Sequence, residues 1–122
     1  MKTVLLVDDS ATILMKMIAV LKKGGYAVET ASCGNDALAK LATLKPAIII
    51  TDLNMPGMDG IAFIKEVKKN PAFRFMPALL MTAESQQERR MEARAAGVTG
   101  WLGKPAKPEE LMAILKRLLP GA

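Results

Sequence analysis

The chain has 122 residues, of which 51% are hydrophobic and 24% charged, and this length and balance indicate one globular domain over residues 1–122. Its first residues do not fit a signal peptide, and no apolar run approaches the ~18 residues that span a bilayer, so neither export nor a membrane partner is expected. The net charge of +5 comes from scattered residues with few aromatics between them, which argues against direct nucleic-acid binding. Cys33 is the only cysteine, which excludes an intrachain disulfide and fits a cytoplasmic location.

The first part of the chain alternates short apolar runs with longer stretches of helical periodicity. Residues 4–7 predict a buried strand, and residues 10–23 predict a helix that Gly24 and Gly25 end. A second strand is predicted at 27–31 and a second helix at 35–44.

The same alternation continues to the end of the chain. Strands are predicted at 47–51 and 78–82, followed by helices at 61–69 and 85–96. Glu84 and Ser85 are candidate caps for the second of these helices, and Gly97 ends it. The last pair is a strand at 99–102 and a helix at 108–119, with Pro108 in the first turn, where proline is tolerated.

Five strand-then-helix repeats predict an α/β fold, a doubly wound five-stranded parallel sheet with five helices. Right-handed crossovers place the helices on both faces of such a sheet, and both-face burial explains why the strands are almost continuously apolar. No internal repeat or linker divides the chain.

Polar residues follow the predicted strands where ligands of such sheets collect, at the carboxyl ends. These residues are Asp8, Asp9, Asp52, Thr82 and Lys104. Alone, each aspartate is better explained as a helix cap, but their joint placement at one edge reverses that interpretation. Three neighbouring carboxylates repel one another unless a cation compensates, and Mg²⁺ prefers oxygen ligands. With a lysine and a hydroxyl nearby, the pocket suits phosphoryl transfer.

The same residues carry a resemblance to the receiver domains of two-component response regulators, of the CheY-like single-domain type. The matching segments are Val-Asp-Asp-Ser at 7–10, the run 52–60, Thr-Ala-Glu at 82–84 and Lys-Pro at 104–105. The resemblance covers essentially the whole chain and implies the strand order 2-1-3-4-5.

The resemblance also implies a role for each site residue. Asp52 is the expected phosphoacceptor, with Lys104 and Thr82 contacting the phosphoryl oxygens. Mg²⁺ is the expected cofactor, held by Asp9, Asp52 and the backbone carbonyl of Asn54, with Asp8 acting through water. The Lys104–Pro105 peptide is expected to be cis.

Thr82 and Trp101 match the positions of the family's conformational switch. Trp101 departs from the usual Tyr or Phe, and Ala106 stands where an aromatic often follows Lys-Pro. Both departures lie on the expected output face, formed by the fourth helix, fifth strand and fifth helix. Asn54 and Glu84 lie two residues past Asp52 and Thr82, where they are expected to tune dephosphorylation to a lifetime of seconds to minutes.

The chain has no histidine, so the resemblance implies that a separate histidine kinase or histidine phosphotransfer protein is the donor. The chain is expected to catalyse its own dephosphorylation without acting on an independent substrate. The output target and cognate kinase stay open, with chemotaxis as one candidate pathway. A monomer is expected, with a dimer left open.

Three alternatives remain at this point. An aspartyl phosphatase would carry a second acid two residues after the nucleophile, where Asn54 stands instead. A phosphorylation-independent interaction module would not need the intact acidic residues. A receiver fragment of a larger regulator would have the same sequence pattern.

The first predicted helix has more apolar residues than one core face needs. Ile13, Met17, Val20 and Leu21 form the expected inward stripe. A second stripe consists of Leu14, Met15 and Ile18. Either the buried face is wide, or the second stripe docks the donor protein.

Overall fold

Five parallel strands form the centre of the computed structural model, which describes residues 2–82 and 89–119. The strands are β1 (Thr3–Val7), β2 (Ala27–Ala31), β3 (Ile48–Asp52), β4 (Ala78–Thr82) and β5 (Gly100–Gly103). Their order across the sheet is β2-β1-β3-β4-β5, which confirms the predicted doubly wound topology. The register places Val7 beside Thr51 and Asp52 beside Met81, so the carboxyl ends of the three central strands lie together.

Five helices connect the strands. They are α1 (Ala11–Lys23), α2 (Gly34–Leu41), α3 (Gly60–Lys68), α4 (Arg90–Ala96) and α5 (Pro108–Leu118), with a short 3₁₀ turn at Pro71–Phe73. The predicted boundaries are close, but α2 begins one residue earlier, after its N-cap Cys33, and ends at Leu41. The predicted start of the fourth helix and its candidate caps, 84–88, lie outside the described residues.

The hydrophobic core lies on both faces of the sheet. Alternate residues of β1 and β3 enter opposite clusters: Leu5 and Ile49 pack with α2, α3 and α4, whereas Leu6 and Ile50 pack with α1 and α5. Burial on both faces leaves no solvent side for polar residues along these strands. Charged side chains can therefore enter the central sheet only at its ends, which is where the acidic residues are found.

The position of α1 answers the question raised by its surplus of apolar residues. Met17 and Leu21 are buried, and Leu14 and Ile18 are half-buried against the same core cluster. Of the second stripe, only Met15 is exposed, with 71% of its surface open to solvent. The wide buried face is therefore the better description of α1.

No helix within residues 2–82 and 89–119 combines the length and apolar character that crossing a membrane requires.

Candidate functional site

Four segments meet at the carboxyl edge of the sheet. Asp8 follows β1, Asp52 is the last residue of β3, and Lys104 follows β5. The Lys104 ammonium lies 2.9 Å from Asp52 Oδ1 and 3.5 Å from Asp8 Oδ2. The backbone N–H of Lys104 donates to the carbonyl of Thr82 at 3.1 Å, which fixes the lysine beside the end of β4. The sequence analysis predicted this meeting of distant residues, and the structure brings them together.

The three aspartates form a compact acidic cluster. Carboxylate oxygens of Asp8, Asp9 and Asp52 all lie within 4.8 Å of one another. Asp8 is fully buried, Asp52 is almost so, and Asp9 is exposed. Two of the three carboxylates are thus buried, and the third is open to solvent.

Asp8 shows that this cluster suits a cation. Its Oδ1 accepts a hydrogen bond from the backbone N–H of Ser10 at 2.9 Å, but its buried Oδ2 has no hydrogen-bond partner among the described residues. Burial raises the pKa of Asp8, and the neighbouring charge of Asp52 raises it further, against the opposing effects of Ser10 and Lys104. A buried oxygen that accepts no hydrogen bond and lies 3.5 Å from the Lys104 ammonium, in an all-oxygen ligand set, fits a hard divalent cation such as Mg²⁺.

Lys104 places a positive charge beside the carboxylates of Asp52 and Asp8. Burial lowers the pKa of its ammonium, but the hydrogen bond to Asp52 and the charges of Asp52 and Asp8 outweigh this and raise the pKa above its ordinary value. The side chain therefore stays protonated at neutral pH and is held on Asp52.

A cavity of about 550 Å³ opens beside the lysine, and Thr82, Arg90, Trp101 and Lys104 are among its lining residues. Trp101 is half-buried and packs against the cluster on the α3 and α4 side of the sheet. The Arg90 guanidinium lies 5.2 Å from the centre of its ring, which is cation–π distance. Sequence reasoning identified Trp101 but missed Arg90, because nothing in the sequence pairs the two.

Two further sequence predictions have different outcomes. The Lys104–Pro105 peptide is cis, as expected. Asn54 is exposed in the loop after β3, close to Asp52 in sequence. Glu84, the other residue expected to tune dephosphorylation, lies outside the described residues.

Gly60 positions Asp52 in a way that the sequence analysis missed. Its N–H donates to the carbonyl of Leu53 at 2.8 Å, and α3 begins there against the end of β3. A Cβ at this position would overlap the Asp52 carbonyl oxygen and lie 2.8 Å from Leu80 Cδ1. The available signal was that a glycine ends the motif 52–60.

Replacing Gly60 by alanine is therefore expected to destabilise the protein by about 1–3 kcal/mol, because overlap with the backbone outweighs the better helix propensity of alanine. Urea unfolding measures the change. Gly103→Ala is the matched control, since a Cβ at Gly103 meets nothing within 4 Å. Equal stability of both variants and the parent would show that the end of β3 shifts to accept the added Cβ without a loss in the free energy of unfolding.

An ion pair links the segment after β3 to α4. Asp59 caps α3 by accepting a hydrogen bond from the Ala62 N–H at 2.8 Å, and its second oxygen lies 3.0 Å from Arg89 Nη1. Burial alone raises the pKa of Asp59, but its hydrogen bonds with Ala62 and Arg89 and the charge of Arg89 outweigh this and lower the pKa. The carboxylate form is therefore the one that the fold favours.

Because its pKa is lowered in the folded protein, the Asp59 carboxylate stabilises the fold at pH values above its ordinary pKa of 3.8. This contribution disappears as the pH falls through the lower pKa of the folded state. Asp59→Asn keeps a capping oxygen but removes the charge. The parent should be more stable by about 0.5–1 kcal/mol at pH 7, since the pair is partly exposed, with the difference shrinking below pH 3.8. Urea unfolding across this range measures it, and a pH-independent difference would exclude the charge as the cause.

This arrangement of sheet, acidic cluster and lysine defines a class of signalling protein. The family model of the response regulator receiver domain matches residues 4–116, and the chain belongs to this family. Protein PilG of Pseudomonas aeruginosa is 37% identical over 117 residues, which cover 96% of this chain and 87% of that protein.

Solved structures of response regulators and receiver domains are also similar to this chain. The chemotaxis response regulator CheY4 of Vibrio cholerae superposes with a TM-score of 0.92 at 44% identity, covering 98% of this chain and 99% of the other. The receiver domain of the sensor histidine kinase PA1611 from Pseudomonas aeruginosa has a TM-score of 0.87 at 29% identity, covering 96% of each chain. That structure holds a magnesium ion in its active-site cleft.

Proposed function

We propose that this chain is the phosphoacceptor of a His-Asp phosphorelay, which takes a phosphoryl group on Asp52 with Mg²⁺ bound beside it. The observation that carries the proposal is the placement of Lys104 Nζ 2.9 Å from Asp52 Oδ1 within a cluster of three carboxylates. A buried aspartate with one fixed cation, and with room for a second, is suited to attack phosphorus.

The chain's own residues perform the transfer by positioning and by charge. A carboxylate oxygen of Asp52 forms a bond to phosphorus while the bond from phosphorus to the donor's histidine nitrogen breaks, and the electron pair leaves with that nitrogen. Lys104, whose ammonium lies 2.9 Å from Asp52 Oδ1, and Thr82, at the end of the strand beside Asp52, would contact the phosphoryl oxygens and stabilise their charge. The product is a mixed anhydride, which water can cleave.

Asp8, Asp9, Asp52 and the Asn54 backbone carbonyl would hold the metal ion. When bound, Mg²⁺ neutralises charge on the phosphoryl oxygens and lowers the repulsion among the carboxylates. From their positions two residues past Asp52 and Thr82, Asn54 and Glu84 would set the lifetime of the phosphorylated state, which should be seconds to minutes and is measured by decay of the labelled protein.

The donor would be a histidine kinase or a histidine phosphotransfer protein, because the chain has no histidine of its own. Likeness to a chemotaxis regulator makes chemotaxis a candidate pathway. The output partner would bind the face formed by α4, β5 and α5, where Trp101 and Arg90 lie.

Phosphorylation would draw Thr82 toward the new oxygens and change the space available to Trp101, shifting a two-state equilibrium. Trp101 is the only tryptophan, so its fluorescence reports this site. Beryllofluoride with Mg²⁺, a phosphate mimic, should change the emission of the parent but not that of Asp52→Asn. Unchanged emission of the parent, with binding shown by calorimetry, would contradict Trp101 as part of the switch.

The function itself is tested with acetyl phosphate, a donor that needs no partner protein. The intact mass of the chain should increase by one phosphoryl group in Mg²⁺ and remain unchanged in excess chelator. A mass that does not change in Mg²⁺ would favour the phosphorylation-independent interaction module.

A further inference from the structure

The loop before β4 places an aromatic ring in solvent. Phe75 is 90% exposed, more than Met91 at 85% or Met15 at 71%, the other large hydrophobic residues that are exposed among those described. The three lie on separate elements: Met15 on α1, Met91 on α4 and Phe75 on this loop. A single exposed apolar residue is common in proteins, so its surroundings decide whether it has a role.

The loop is held in shape on both sides of the ring. The Lys68 ammonium donates to the carbonyls of Phe73 and Arg74, at 3.2 Å each, and to that of Met76. Burial lowers the pKa of Lys68, and the partners it has in the described structure are these carbonyls, with no carboxylate among them. Phe73 is buried and anchors the turn. Phe75 is therefore presented by an ordered loop rather than by a loose one.

Exposed basic residues lie at the same edge of the sheet as the loop that carries the ring. Arg74 precedes it, Lys69 follows α3, Arg94 lies in the last turn of α4, and Lys45 precedes β3, all of them exposed. Contacts join these segments: the β3 residue Ile49 donates to the carbonyl of Pro77, and a Cβ at Gly97, just after α4, would lie 3.0 Å from the stem of Lys68.

We call Phe75 with Lys45, Arg74 and Arg94 the basic edge. Lys69 is not included, because it is paired at 2.9 Å with Glu66, the acidic residue of the last turns of α3, and the two charges offset each other. Basic residues at helix ends also complement the helix dipole, but this explains neither the exposed ring nor the lysine that fixes its loop. The basic edge lies at the amino ends of β3 and β4, opposite the carboxylate cluster.

We propose that the basic edge binds the surface of an anionic phospholipid bilayer, with the Phe75 ring entering the interfacial region and the three cations facing the headgroups. A bilayer needs only an apolar anchor and a positive surface, whereas a protein partner needs a wide, complementary patch around the ring, and the exposed apolar residues here are dispersed. No spanning segment is involved, so a search for long apolar runs does not detect such a contact. The carboxylate cluster would stay open to a phosphodonor.

The test is co-sedimentation of the full chain with vesicles of phosphatidylcholine alone or mixed with phosphatidylglycerol. The chain should bind the anionic vesicles only, and more weakly as salt rises. Phe75→Ser should lower the affinity about tenfold or more, and the double variant Arg74→Gln, Arg94→Gln by a similar factor. The matched controls Met15→Ser and Lys16→Gln, on the exposed face of α1, should bind like the parent. Circular dichroism checks that each variant is folded.

Insertion of the ring is measured separately with Phe75→Trp. Its fluorescence should be quenched by brominated lipid chains more strongly than that of the parent, whose only tryptophan is Trp101. Absence of binding to anionic vesicles at low salt, or binding of Phe75→Ser equal to that of the parent, would overturn the proposal. Binding to the bilayer does not require phosphorylation of Asp52. Failure of the membrane-binding proposal would therefore not contradict the proposed function.

Discussion

Replacement of Lys104 by alanine is expected to lower the rate of phosphoryl transfer from acetyl phosphate by about 100-fold. Its ammonium is the only cation that the structure places on the described carboxylate cluster, 2.9 Å from Asp52. Removal of one preorganised charge from a transition state of this kind costs about 10²–10³ in rate. The rate of labelling at saturating Mg²⁺, followed by intact mass, measures the effect.

Two variants separate the position of the charge from its presence. Lys107→Ala removes an exposed lysine that lines the same cavity without touching the carboxylates, and it should label like the parent. Lys104→Arg keeps a charge with different geometry and should give an intermediate rate. Affinity for Mg²⁺ should not fall in Lys104→Ala, because the carboxylates lose a competing cation. A parental labelling rate in Lys104→Ala would contradict the role given to this residue.

Replacement of Asp8 by asparagine is expected to have opposite effects on the metal-free and metal-loaded protein. Asp8 is fully buried, and its Oδ2 has no hydrogen-bond partner among the described residues. Asparagine removes a buried charge and its repulsion from Asp52, which outweigh the lost attraction to Lys104 at 3.5 Å, while its oxygen can still accept from the Ser10 N–H. Without metal, the variant should therefore be more stable than the parent, by about 1–2 kcal/mol.

With metal, the order changes. A ligand that binds only the native state stabilises it in proportion to the logarithm of its concentration over Kd. The parent should thus gain several degrees in Tm in millimolar Mg²⁺, whereas Asp8→Asn should gain little. Thermal unfolding in chelator and in Mg²⁺ measures both effects, with Glu29→Gln, an exposed acidic residue on β2, as the control. An equal response of Asp8→Asn and the parent to Mg²⁺ would exclude Asp8 from the metal site.

The fold and most of the site could be predicted from the sequence, for a physical reason. Strands buried on both faces exclude charged residues except at their ends, so apolar runs and the polar residues after them mark both the sheet and its carboxyl edge. This reasoning brought Asp8, Asp52, Thr82 and Lys104 together correctly, although Asp52 is the last residue of its strand rather than the first of its loop.

What could not be predicted depends on contacts between segments whose packing the sequence does not encode locally. The overlap that a Cβ at Gly60 would cause requires the relative position of α3 and β3. The stacking of Arg90 on Trp101 requires the relative position of α4 and β5. Leu14 and Ile18 looked like a surplus on α1 because periodicity gives the width of an apolar stripe but not the shape of the surface that receives it.

The most direct test of the central claim is to locate the phosphoryl group. After acetyl phosphate and Mg²⁺, the parent should carry one group that hydroxylamine releases, as expected of an acyl phosphate, and fragmentation should place it on the peptide that contains Asp52. Asp52→Asn, folded by circular dichroism, should acquire none. Hydroxylamine-sensitive labelling of Asp52→Asn at the parental level would contradict the assignment of this aspartate as the nucleophile.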